Sequence, residues 1–123
     1  MMAAAAAALA ACGGSSITAP SSVSLTLKVS DYAALATVGG VALVDASGSP
    51  VAVVRTSATT FAALSRVCPH KGTTVNVSAN GFLCPNHGAT FNSTGTWTGG
   101  ERTSNMRAYA TSYDSVTGTV TVG

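Results

Sequence analysis

The chain is poor in charged and aromatic side chains. Only ten of its 123 residues are charged, six Lys or Arg and four Asp or Glu, and the aromatic residues make up 6%. The basic residues form no cluster, and few rings are present to stack on bases, so the electrostatic footprint of a nucleic-acid-binding protein is missing. We therefore expect no nucleic acid among the partners.

A long hydrophobic run is also missing. The longest apolar stretch is the alanine-rich segment from Met1 to Cys12, which is shorter and less hydrophobic than the roughly 20 residues of a membrane-spanning helix. The chain length is that of a single domain. Ser, Thr, Val, Ala and Gly dominate the composition, which favours short strands and tight turns and predicts an all-β fold.

Short segments of alternating apolar and polar residues support this prediction. They are separated by turn-forming residues, and the dipeptide Asn80-Gly81 is typical of a type I′ hairpin turn. The expected architecture is a small antiparallel sandwich or barrel over residues 24–123. The predicted strands cover residues 24–29, 41–45, 51–57, 61–67, 74–77, 81–83, 90–92, 96–98, 109–113 and 119–122.

Three cysteines cannot all pair with one another. One of them, Cys12, follows Leu9-Ala10-Ala11 and precedes a stretch rich in Gly and Ser. This segment resembles the cleavage site of bacterial lipoproteins. The resemblance implies a signal segment over residues 1–11, an acylated Cys12, and a flexible tether over residues 12–23 that anchors an extracytoplasmic domain to the membrane.

The other two cysteines each lie beside a histidine. Cys68-Pro69-His70-Lys71-Gly72-Thr73 is the first box, and Cys84-Pro85-Asn86-His87-Gly88-Ala89 is the second box. The predicted hairpin between them would bring both boxes to the same end of a sheet. Four soft or borderline metal ligands, Cys68, His70, Cys84 and His87, would then converge.

Two Cys and two His could bind one zinc ion. Zinc sites usually take Cys with Cys and His with His from each loop, whereas here each loop supplies one of each. One Cys and one His in each box fit a site with two irons better, because a Rieske centre holds one iron by two thiolates and the other by two imidazoles. A structural zinc module stays open as an alternative.

The two boxes resemble those of the Rieske [2Fe-2S] domain, most strongly from Phe61 to Phe91. The resemblance implies one cluster per chain, with Cys68 and Cys84 on the inner iron and His70 and His87 on the outer iron near solvent. It also implies a Rieske-type fold in which two loops bind the cluster, and glycines, Gly72 and Gly88, that let backbone amides approach the cluster sulfurs.

The boxes differ from those of quinol-oxidising cytochrome complexes. Thr73 and Asn86 stand where that group has two cysteines joined in a disulfide, and Ala89 and Phe91 stand where it has Ser and Tyr. A Gly-Pro loop often covers the cluster in the family, but here Gly99-Gly100-Glu101 has no proline.

The expected function is that of an exported, lipid-anchored one-electron carrier, not itself a catalyst, whose partner is a cytochrome, a reductase or an oxygenase. One alternative is a cytoplasmic Rieske-type ferredoxin that serves an aromatic-ring oxygenase. Another is the small iron-sulfur subunit of an oxidoreductase complex, against which the missing disulfide weighs.

Overall fold

Strands dominate the computed structural model, which describes residues 19–69, 73–78, 81–86 and 88–123. Two short 3-10 turns, Val29–Asp31 and Ala33–Ala36, follow the first strand. The strands are β1 Leu25–Lys28, β2 Val41–Ala46, β3 Ser49–Arg55, β4 Phe61–Ser65, β5 Asn76–Ser78, β6 Gly81–Leu83, β7 Thr90–Asn92, β8 Trp97–Gly99, β9 Ala108–Tyr109, β10 Thr111–Asp114 and β11 Thr119–Val122.

The described strands form three antiparallel sheets. The base sheet has the order β1-β11-β10, the middle sheet β2-β3-β4-β9, and the box sheet β5-β6-β7-β8. The predicted all-β antiparallel fold is confirmed. The hairpin that joins β2 to β3 is tight, because Ala46 pairs with Ser49 and both intervening residues, Ser47 and Gly48, have positive φ angles of 54° and 89°, as a type I′ turn requires.

Strand β3, in the middle sheet, is buried on both faces. Its residues Val51 to Val54 are all fully buried, and successive side chains of a strand point to opposite faces. Val51 and Val53 pack in a core with Leu27, Phe61 and Val120. Ala52 and Val54 pack in a second core with Leu64, Phe82, Phe91 and both box cysteines.

The hairpin between β5 and β6 corrects one prediction from the sequence. Ser78 pairs with Gly81, and Gly81 is the first residue of β6, so it is a strand residue and not a central residue of a turn. A Cβ atom on Gly81 would lie 2.0 Å from the carbonyl oxygen of Phe91 on β7. Glycine is needed at this position because β6 and β7 approach each other too closely to leave room for a side chain.

The segment just before β1 lies against the folded domain. The Tyr109 hydroxyl donates a 2.8 Å hydrogen bond to the carbonyl oxygen of Pro20, and a Cβ atom on Gly123 would lie 2.0 Å from the Val23 carbonyl oxygen. Cys12, the signal segment and the first part of the predicted tether lie outside the described residues. The domain boundary at residue 24 stays a prediction.

Replacing Gly81 by alanine should destabilise the box sheet. The new methyl group would meet the β7 backbone, which cannot move away as a flexible side chain could, so we expect a loss of about 2 kcal/mol or more. For a domain of this size that corresponds to a melting temperature lower by about 8 °C or more. The measurement is thermal unfolding followed by circular dichroism.

Gly99→Ala in β8 is the matched control, because the nearest atom to its Cβ is the Thr90 side-chain oxygen at 3.4 Å, an ordinary contact. An equal loss of stability in both variants would contradict the role assigned to Gly81.

Candidate metal centre

The first box is the loop that follows β4. The Cys68 N–H donates a 2.7 Å hydrogen bond to the carbonyl oxygen of Thr73, which closes the loop. Val67 and Thr74 form a β-bridge immediately behind it. The buried Ser65 hydroxyl accepts a 3.1 Å hydrogen bond from the Val67 N–H. These contacts hold Cys68 in place next to the end of β4 in the middle sheet.

The second box joins β6 to β7 and is closed in the same way. The Cys84 N–H donates a 2.8 Å hydrogen bond to the carbonyl oxygen of Ala89, and the Gly88 N–H donates a 3.0 Å bond back to the Cys84 carbonyl oxygen. Gly88 has a φ of 79°, in the region that favours glycine. In both boxes the cysteine donates to the fifth residue after it, so the two cysteines occupy equivalent positions in their loops.

Strand register brings the two boxes to the same edge of the box sheet. Asn76 pairs with Leu83, so the residues leading out of the first box lie beside those leading into the second box. Cys68 and Cys84 are both buried, with exposures of 1% and 0%, and belong to the same hydrophobic core. Both are thiols and neither is part of a disulfide.

His70 and His87, together with Lys71 and Gly72, lie outside the described residues. The structure therefore places the two predicted cysteine ligands in one hydrophobic core, and the two predicted histidine ligands stay predictions. The described half of the ligand set fits a cluster held by two thiolates, because both thiols lie on adjacent loops that are closed by backbone hydrogen bonds.

The connection from β8 to β9, residues 100–107, contacts the second box and is called the third loop below. Gly100 has a φ of 76°, and a Cβ atom on it would lie 1.9 Å from the carbonyl oxygen of Gly88. The third loop therefore packs closely against the second box without the proline that the family often has in this place.

Side chains supply the rigidity that a proline would give. The Trp97 indole N–H donates a 2.9 Å hydrogen bond to the Glu101 carbonyl oxygen, and the Trp97 backbone N–H donates to the Asn105 side-chain oxygen at 2.9 Å. The Arg102 guanidinium lies 4.7 Å from the centre of the Trp97 ring, a cation–π distance. The sequence analysis named Gly99-Gly100-Glu101 at this position, but it did not predict roles for Trp97, Arg102 and Asn105 in the site.

A cavity of about 360 Å³ lies beside the first box. Cys68 and Pro69 line it on one side, and Ser104, Asn105 and Arg107 line it on the other. The third loop thus borders both boxes, the second through Gly100 and the first across this cavity.

Arg66 supports the first box from behind. Its side-chain Nε donates a 3.0 Å hydrogen bond to the Val75 carbonyl oxygen, and the Val75 N–H donates back to the Arg66 carbonyl oxygen at 2.7 Å. Partial burial lowers the pKa of the Arg66 guanidinium, because desolvation disfavours its charged form.

The two positions that lack hydroxyl groups are both buried. Ala89 is fully buried at the end of the second box, and Phe91, with 3% exposure, lies in β7 within the core that contains both cysteines. Neither side chain can donate a hydrogen bond, so the surroundings of the cysteines are less polar here than in boxes that carry Ser and Tyr.

Known proteins with similar sequences or folds belong to one family. The Rieske [2Fe-2S] domain family matches residues 26–110. No curated protein matches the chain in sequence. The plasma membrane Rieske protein PetC3 from Synechocystis PCC 6803 superposes with a TM-score of 0.59 and 28% identity, covering 68% of this chain and 85% of that protein.

A second solved structure with the same fold is the ferredoxin of carbazole 1,9a-dioxygenase from Nocardioides aromaticivorans IC177. It superposes with a TM-score of 0.57 and 22% identity, covering 86% of this chain and 98% of that protein. Because the family match spans well over half of the sequence, the chain belongs to the Rieske [2Fe-2S] domain family, whose members bind a [2Fe-2S] cluster and exchange electrons with redox partners.

Proposed function

We propose that this protein is an exported, membrane-tethered one-electron carrier whose cluster is held by Cys68, His70, Cys84 and His87. The electron-transfer part of this proposal depends on one observation: Cys68 and Cys84 are both buried and occupy equivalent positions in two loops closed by backbone hydrogen bonds. When bound, the cluster supplies reversible one-electron chemistry. The protein positions the two thiols and keeps them away from water, and His70 and His87 would complete the ligand set on the outer iron.

The boxes supply the backbone environment for the cluster. Gly88 is exposed, and the space that a Cβ atom on it would occupy is open, whereas Cys68 and Cys84 are held on the core side. Cysteines inside and histidines outside would direct electron exchange through the imidazole edges. This arrangement suits a carrier that meets its partners at the surface and performs no further chemistry.

The membrane part of the proposal depends on Leu9-Ala10-Ala11-Cys12. No helix in the described part of the chain is long and apolar enough to cross a bilayer. Ala19 lines the cavity beside the first box, so an acylated Cys12 would be connected to this end of the domain by seven residues at most about 25 Å long. The cluster end would then stay close to the membrane surface. The likeness to a plasma membrane Rieske protein supports this location.

A cytoplasmic ferredoxin that feeds an oxygenase is the second candidate. It is supported by the missing box disulfide and by the nearly complete coverage of a dioxygenase ferredoxin of the same fold. The state of Cys12 distinguishes the two candidates, because only the exported protein would be cleaved and acylated there.

Purified protein should contain two irons and two acid-labile sulfides per chain. Dithionite reduction should give a rhombic EPR signal with an average g value below that of all-thiolate ferredoxins, because imidazole nitrogen replaces half of the thiolates. Cys84→Ala should abolish the signal, whereas Cys12→Ala, the matched control, should retain it. Stoichiometric zinc without iron would instead identify a structural zinc module.

In a bacterial host the protein should fractionate with membranes, and Cys12→Ser should release it without a change in the visible spectrum. The reason is that two or more acyl chains give stable anchoring and Ser cannot carry the thioether. Cell fractionation and mass spectrometry of the N-terminus provide the measurement. A wild-type protein that is soluble and still begins with Met1 would favour the cytoplasmic candidate.

The midpoint potential should lie in the lower half of the Rieske range of about −150 to +300 mV. Hydrogen bonds to cluster sulfurs stabilise the reduced, more negative state, and Ala89 and Phe91 donate none. Ala89→Ser and Phe91→Tyr should each raise the potential by roughly 40 mV, if each hydroxyl contributes about 1 kcal/mol. Film voltammetry at neutral pH measures both shifts.

Thr98→Ser, a change between two hydroxyl residues at an exposed position of β8, is the control and should leave the potential unchanged. A wild-type midpoint near the top of the range would contradict the role given to Ala89 and Phe91.

A further inference from the structure

Charge is distributed unevenly between the part of the chain that carries the boxes and the rest. Residues 61–109, from β4 to β9, contain four basic residues and one acidic residue, a net charge of +3. The remaining residues contain two basic and three acidic residues, a net charge of −1. The overall charge of +2 therefore comes from the cluster-binding part.

Two of the three acidic residues of the other part have local structural roles. Asp45 accepts a 2.9 Å hydrogen bond from the Gly48 N–H in the turn after β2. Asp114 accepts a 2.9 Å bond from the Val116 N–H in the turn after β10. Both carboxylates are thus engaged in turns outside residues 61–109, whereas exposed arginines lie within that range.

Two of those arginines lie on the third loop or at its end. Arg102 is exposed and is held over the Trp97 ring. Arg107 is also exposed, and it lines the cavity together with Cys68 and Pro69. No carboxylate within the described ranges forms an ion pair with either arginine, so both charges are available to an outside partner.

The remaining lining of the cavity suits an anion. The Asn105 side-chain oxygen already accepts a hydrogen bond from Trp97, which leaves its NH₂ group as the remaining polar group, and Ser104 adds a hydroxyl. No Asp or Glu is among the described residues that line the cavity. A guanidinium with nearby donors is the arrangement that recognises carboxylates.

We propose that this basic face, formed by Arg102, Arg107 and the cavity that Arg107 shares with the first box, docks an acidic electron-transfer protein, with one carboxylate of the partner paired to Arg107. The proposal rests on the electron-carrier function above. Docking here would bring the partner next to Cys68 and its loop, and the long-range attraction between opposite charges would raise the rate of encounter.

The test uses oxidation of the reduced protein by two small complexes of opposite charge, followed by stopped-flow absorbance. Ferricyanide stands for an anionic partner, and tris(1,10-phenanthroline)cobalt(III) for a cationic one. At low ionic strength, Arg107→Glu should slow the ferricyanide reaction about tenfold and accelerate the cobalt reaction, because the complex charge and the altered site interact strongly within a Debye length. Arg107→Gln should change both rates in the same directions but by a smaller factor, because it removes one positive charge and adds no negative charge.

Lys28→Glu is the matched control, because it changes the net charge by the same amount at an exposed site in the base sheet. Lys28 lies at the other end of the domain from the first box. Its neighbour Leu27 pairs with Val120, and both pack in the core with Phe61. Phe61 begins β4, whereas the first box follows the end of β4. The ferricyanide rate should therefore fall less than about threefold in this variant.

Midpoint potentials of all variants are measured in parallel, so that rates can be corrected for driving force. Equal effects of Arg107→Glu and Lys28→Glu would overturn the docking proposal and leave the electron carrier intact. A protein without a reducible cluster, or one that reacts with neither complex, would overturn the carrier function and the docking surface together.

Discussion

Burial of strand β3 on both faces is the constraint on which the rest of the structure depends. The strand segment Val51 to Val54 supplies side chains alternately to the two cores. Both faces of β3 are apolar, so the strand is stable only when both cores are formed. Leu64 of β4 extends the core beneath the boxes, and Phe61 extends the core toward the base sheet. A chain with few charges and many small apolar residues can satisfy this constraint, because almost every position in these strands must be apolar.

The cluster-binding region is an extension of the middle sheet. Strand β4 continues directly into the first box, and the box sheet returns the chain so that the second box lies next to it. Both cysteines then become members of the apolar core beneath the boxes. Cysteines buried on the core side insulate one side of a bound cluster, and the proposed histidine ligands would leave the other side to exchange electrons. The basic side chains are concentrated on the same part of the chain, which links the site of redox chemistry to the site of encounter.

The third loop shows how one part of a family fold can be built from different residues. A glycine in left-handed conformation, Gly100, allows the loop to approach the second box, while Trp97 and Asn105 hold it through hydrogen bonds. The Trp97 ring also supports Arg102. Stiffening by side-chain hydrogen bonds instead of proline therefore places a cation at the rim of the site, and structural support and surface charge arise from the same residues.

The sequence by itself determined the all-β class, most of the strands, the two boxes and the family, because alternation, turn residues and Cys/His spacing are local patterns. Tertiary structure decided that β3 is buried on both faces, that Gly81 is required by the nearby backbone of β7, and that Arg107 shares a cavity with Cys68. Each of these depends on a contact between segments that are far apart in the chain, which no local pattern encodes. Cys68 and Arg107 are far apart in the sequence and come together only when β9 pairs with β4, so the proposed docking face exists only in the folded protein.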